Sequence, residues 1–103
     1  MNLSKVSTVH GKATPPISHR NTLIFYFLMI AKKFREAAEQ YTEAIFCKIS
    51  GEKKAVLYCN RSFASLKMEE NQLALFDACE AIKLDPANVK GFYRQGQAYV
   101  ALR

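Results

Sequence analysis

A chain of 103 residues has room for one domain, and with 50% of its residues hydrophobic it suits a packed core better than a disordered tail. The formal charge is +6, yet Lys5, Lys12 and Arg20 stand in a stretch with no acid, so half of the excess belongs to the first twenty residues and nucleic acid is a poor candidate partner. Cys47, Cys59 and Cys79 are odd in number and lack CxxC spacing, which suggests neither a disulfide framework nor a zinc site and points to reduced thiols in the cytosol, with the nucleus as a second compartment.

Residues 1–20 contain Gly11, the pair Pro15-Pro16 and no apolar period, so they are predicted to form a flexible basic leader. His10 and His19 fall in it, far from any acid or cysteine pattern, so neither suggests a metal ligand or a catalytic base. The run from Leu23 to Ala31 is uninterruptedly apolar and stops at Lys32-Lys33. It is far short of the roughly 20 residues that span a bilayer. A secretory signal fits badly too, because prolines precede the run and no small-residue cleavage site follows it. The run is predicted instead as a helix over about 21–32, and its uncharged surface is a candidate for self-association.

The next segment places Phe34, Ala37, Tyr41 and Ala44 at helical spacing with Glu36, Glu39 and Glu43 on a solvated side, which predicts a helix over 35–48. Ser50-Gly51 is expected to break it. Further helices are predicted over 54–67, 71–84 and 88–103, the fourth ending near Leu84 because the residue before Pro86 is pushed out of the helical region. A repeat runs through these segments. Tyr58 and Phe92 are 34 positions apart, as are Asn60 and Arg94, while Ala37 and Ala44 correspond to Ala74 and Ala81 at an offset of 37, which implies a three-residue insertion around Lys48 to Lys54. The fold class is therefore all-α, a solenoid of antiparallel helix-turn-helix units, with repeat 1 at about 21–50, repeat 2 at about 55–87 and the first helix of repeat 3 at 88–103. The alanines let helices approach closely, and Tyr41, Tyr58, Phe92 and Tyr99 are expected to fill the spaces between them.

Lys90 and Arg94 stand four apart and project from one face of the last helix, and Asn60 lies one repeat before Arg94 on the equivalent face. Two cations and an amide suit a peptide end that carries a terminal carboxylate beside an acidic side chain, with Arg94 able to pair bidentately. Arg61, next to Asn60, is expected to brace neighbouring helices. Cys59 lies beside the same face and is a candidate modifiable thiol. No GxSxG, P-loop or HExxH occurs, so neither an enzyme nor a cofactor is expected.

Over its last 70 residues or so the chain resembles the tetratricopeptide repeat proteins. The words YCNRSFASL, from Tyr58 to Leu66, and NVKGFYRQGQAY, from Asn88 to Tyr99, are similar to the co-chaperone branch, which includes chaperone-organising adaptors, myosin-chaperone adaptors and the repeat domain of a serine/threonine phosphatase. The resemblance implies a concave groove in which Asn60, Lys90 and Arg94 take part in a clamp for the acidic C-terminal peptide of Hsp90 or Hsp70. It also implies a lysine and an asparagine on the first helix, where register places Thr22 and Tyr26, so the clamp is half-built. The alternatives are a general repeat scaffold that binds a partner helix or self-associates through Leu23 to Ala31, a membrane attachment through that run and the leader, and a regulatory piece of a larger enzyme such as a phosphatase.

Overall fold

The computed structural model describes residues 23, 24 and 27–103. Residues 23–24 and 27–30 are helical, and four complete helices follow: α1 (Phe34–Ile45), α2 (Gly51–Lys67), α3 (Asn71–Leu84) and α4 (Val89–Leu102). Neighbours in sequence pack on one another in turn, and α4 also reaches back to α2. None of the described helices is long and apolar enough to cross a membrane. The leader expected over 1–20 lies outside the described residues.

The two turns that close the helical hairpins are copies of each other. At the first, Lys33 N–H donates to Leu28 C=O and Lys32 N–H to Met29 C=O; at the second, Glu70 N–H donates to Ser65 C=O and Glu69 N–H to Leu66 C=O. This is the double bond of a left-handed helix stop, and Lys32 and Glu69 both adopt φ 60°. Neither is glycine, so each turn carries a steric cost of about 1 kcal/mol. The two stops are 37 residues apart, the same offset that separates Ala37 from Ala74.

The other junctions use side chains. Ser50 Oγ accepts from Lys53 N–H at 3.2 Å and caps α2, and Asn88 accepts from Lys90 N–H at 3.0 Å and caps α4. Ser50-Gly51 thus opens a helix where a break was expected: α2 starts at Gly51, three residues earlier than predicted, and α1 stops at Ile45, three residues short of its predicted end. The linker is compact because a capping serine converts the turn directly into the next helix. Prediction and structure agree over 71–84, where Asp85-Pro86 ends α3.

The core is built from small side chains. Ala37, Ala44, Ala55, Ala64, Ala74, Ala78, Ala81 and Ala98 are fully buried, and Tyr41 and Cys59 are the largest hydrophobic side chains to be almost completely enclosed. Such a composition brings backbones together. Ser62 Oγ donates to Ala74 C=O at 2.8 Å across the α2–α3 contact, and at Gly91 an added Cβ would sit 3.0 Å from Ile82 Cγ1, so any larger residue there would require the Ile82 side chain to give way for α4 to lie as closely against α3. Tyr58 is half-buried against both core clusters, as expected of a spacer. Phe92 and Tyr99 are not: both lie exposed on α4, because their face has no further helix against it among the described residues.

Candidate functional site

An open groove of about 730 Å3 runs between α2 and α4, lined by Phe63, Leu66, Lys67, Tyr93, Gln97 and Val100 among others. At its margin stands Arg94. Its guanidinium lies 4.7 Å from the centre of the Phe63 ring and 5.3 Å from that of Tyr93, and its Nη1 donates to Gln97 Oε1 at 2.8 Å. Two aromatic rings and an amide thus hold a planar cation in place with no carboxylate among its hydrogen-bond partners. Its Nε is buried and has no hydrogen-bond partner among the described residues. A second cation, Lys67 Nζ, approaches the Phe63 ring at 5.4 Å.

Lys90 projects one turn before Arg94 and is exposed. Asn60 is half-buried on α2, three residues before Phe63. The positive charges of Lys90 and Arg94 both act on the Cys59 thiol, so these two cations lie at the α2–α4 junction, with Asn60 next to Cys59 in sequence on α2. Thr22 and Tyr26, where the first helix would complete the set, lie outside the described residues.

Cys59 departs from its expected part as a modifiable thiol. It is 1% exposed, and burial pushes its pKa above the ordinary 9.0 against the opposing pull of Arg94 and Lys90. The neutral form is therefore favoured in the folded chain. That contribution to stability is complete below the unfolded thiol's value near 9 and is lost as pH rises through the higher folded one. Alkylation with iodoacetamide at neutral pH should consequently reach Cys47 and Cys79, both partly exposed, well before Cys59; equal rates for all three would contradict this order.

Arg61 takes the bracing part. Its Nε and Nη2 donate to the two carboxylate oxygens of Asp77 at 2.9 and 2.8 Å, and its Nη1 donates to Thr42 Oγ1 at 3.0 Å. The Asp77 hydrogen bonds raise the guanidinium pKa, with burial opposing them. Thr42 in turn donates to Ala38 C=O, so one side chain ties α1, α2 and α3 together. A second hollow of about 360 Å3 lies over this network, but its arginines are already engaged, Arg61 as described and Arg35 with Glu70 at 2.8 Å. Sequence reasoning missed Phe63 and Tyr93 as the holders of Arg94. The spacing of Phe63 three residues after Asn60 was the available signal, since that interval returns to the same helix face.

No family model matches the chain. Among known proteins it is similar to human serine/threonine-protein phosphatase 5, 40% identical over 72 residues that make up 70% of this chain and 14% of the phosphatase. It is also similar to two Saccharomyces cerevisiae proteins. The Hsp70/Hsp90 co-chaperone CNS1 is 31% identical over 70% of this chain and 19% of its own length, and the heat shock protein STI1 is 38% identical over 70% of this chain and 12% of its own. The matched stretch is a small part of each relative, less than a fifth of its length.

Proposed function

We propose, for a chain that belongs to the tetratricopeptide repeat proteins on their co-chaperone-like branch, that the α2–α4 groove binds the acidic C-terminal peptide of an Hsp70- or Hsp90-type chaperone. The observation that carries this reading is Arg94: a guanidinium oriented by Phe63, Tyr93 and Gln97, with no carboxylate bonded to it among the described residues. Lys90 adds a second cation one turn away, and Asn60 offers an amide from the neighbouring helix. A terminal carboxylate would pair with Arg94, an upstream acidic side chain with Lys90, and the apolar groove beside them would shelter those contacts from water.

The chain is then a binding module that performs no chemistry of its own, working in the cytoplasm with its three thiols reduced. The names of the Hsp70/Hsp90 co-chaperone CNS1 and of the heat shock protein STI1 support a chaperone-linked setting. Calorimetric titration with an acidic peptide that ends in a free carboxylate, beside the same peptide amidated, tests the reading at two salt concentrations. Binding of the free acid alone, weakening as salt rises, is the expected result. Equal binding of both peptides, or of neither, would remove the carboxylate from the account.

A further inference from the structure

A guanidinium carries donors and no acceptor, so the end of the Gln97 amide that meets Arg94 Nη1 at 2.8 Å must be its oxygen. The orientation of the amide is thereby fixed by chemistry. Its other end, Nε2, carries two N–H donors and has no hydrogen-bond partner among the described residues. Gln97 is half-buried and lines the α2–α4 groove beside Phe63, Leu66 and Val100, whose side chains hold no acceptor. In such a lining an acceptor for Nε2 has to come from water or from whatever occupies the groove.

Lys90, Arg94 and Gln97 follow one another along α4 at intervals of four and three residues, so they share one side of the helix with Arg94 in the middle. The two cations suit the acidic groups of a peptide end, and the neutral amide suits a different group. A carboxylate drawn in against Phe63, Leu66 and Val100 would give up its water for a single neutral donor, and Lys67, which also lines the groove, is exposed, so water screens its charge. A main-chain carbonyl is itself neutral, and one such donor replaces the water it leaves.

We propose that Gln97 is a peptide-binding residue of the groove: while its oxygen holds Arg94, its Nε2 donates to a main-chain carbonyl of the bound peptide upstream of the terminal carboxylate. The inference rests on the reading of the groove as an acidic-peptide site and names what that site takes, an extended peptide and not an isolated pair of carboxylates. One side chain then joins the two parts of recognition, since the bond that orients the guanidinium also aims the amide.

Titration calorimetry tests this with a free-carboxylate acidic peptide and a set of its analogues, each with one amide bond upstream of the terminus replaced by an ester, which weakens that carbonyl as an acceptor. The unmodified chain is compared with Gln97→Met, which keeps the reach of the side chain and removes the donor. One ester position should weaken binding to the unmodified chain by about 2- to 12-fold, the range of a neutral hydrogen bond, and should cost Gln97→Met nothing further. If Gln97 only supported Arg94, its replacement would weaken every analogue equally and leave the ester response intact, so a Gln97→Met chain that responds to the ester as the unmodified chain does overturns the proposal. So does an unmodified chain indifferent to every ester, or a Gln97 effect that follows conversion of an acidic side chain of the peptide to its amide, which would assign Nε2 to that side chain. In those cases the free acid still binds where the amidated peptide does not, and the carboxylate reading stands; an unmodified chain that binds neither peptide ends both. Should Gln97→Met lose its helical circular dichroism, Gln97→Glu takes its place: it keeps the shape and an oxygen for Arg94 but offers no donor, so indifference to the ester supports the proposal and an unchanged response overturns it.

Discussion

Replacing Asp77 by alanine is expected to lower the thermal midpoint of the chain by about 12 °C or more. The carboxylate is almost wholly enclosed and takes both of its hydrogen bonds from Arg61, whose side chain is itself only 21% exposed. Removing it leaves a half-buried guanidinium with Thr42 as its remaining hydrogen-bond partner. Breaking a buried pair from one side costs about 3 to 5 kcal/mol, and the lower figure applies here because Arg61 can swing partly toward water. In a domain this small, 1 kcal/mol moves the midpoint by about 4–8 °C. The core offers little reserve, since fully buried alanines provide less apolar burial than leucine or phenylalanine would. Thermal unfolding followed by circular dichroism measures the effect. Asp77→Asn, which can still accept one hydrogen bond, should fall between the two, and an alanine variant within 2 °C of the unmodified chain, on the same scale, would show that the three-helix tie contributes nothing.

That tie also shows what the sequence can and cannot express. Arg61 was legible as a brace because it neighbours Asn60 while turning to another face, but its partner was not, since Asp77 lies on the next helix and only packing brings the two together. Alanines at an offset of 37 announced the close contacts, and Pro86 announced the end of α3. The hairpin stops at Lys32 and Glu69 were invisible. A left-handed residue is ordinarily advertised by glycine, and here a lysine and a glutamate accept the strain because hydrogen bonds at both turns hold them there. Ser50-Gly51 was misread for the opposite reason: the pair has the composition of a breaker, yet serine ahead of a helix is also a cap. Phe92 and Tyr99 had the spacing of core aromatics. Spacing identifies the face on which a repeat would stack, and only the structure tells whether anything stacks there.

The same distinction governs the groove. Asn60, Lys90 and Arg94 could be placed on corresponding faces from register alone, but the preparation of Arg94 by Phe63 and Tyr93 required three dimensions. Arg94→Ala should therefore weaken binding of the free-carboxylate acidic peptide by about 10- to 150-fold, corresponding to the 1.5–3 kcal/mol of a sheltered charge-assisted contact. Arg94→Lys is the informative companion. It keeps the charge but loses the planar fork and the stacking on Phe63, so it should recover only part of the affinity while retaining the salt dependence. Phe63→Ala leaves the guanidinium in place with one supporting ring removed and should cost less than Arg94→Ala, by an amount near the roughly 0.5–1 kcal/mol of a partly exposed cation–π contact. Titration calorimetry on the three variants gives the order directly. If Arg94→Ala binds as tightly as the unmodified chain, the oriented guanidinium serves only to pack α4 against α2, and the peptide site must be sought elsewhere on the solenoid. If Arg94→Lys binds as tightly as arginine, charge alone matters and the aromatic support has no part in recognition.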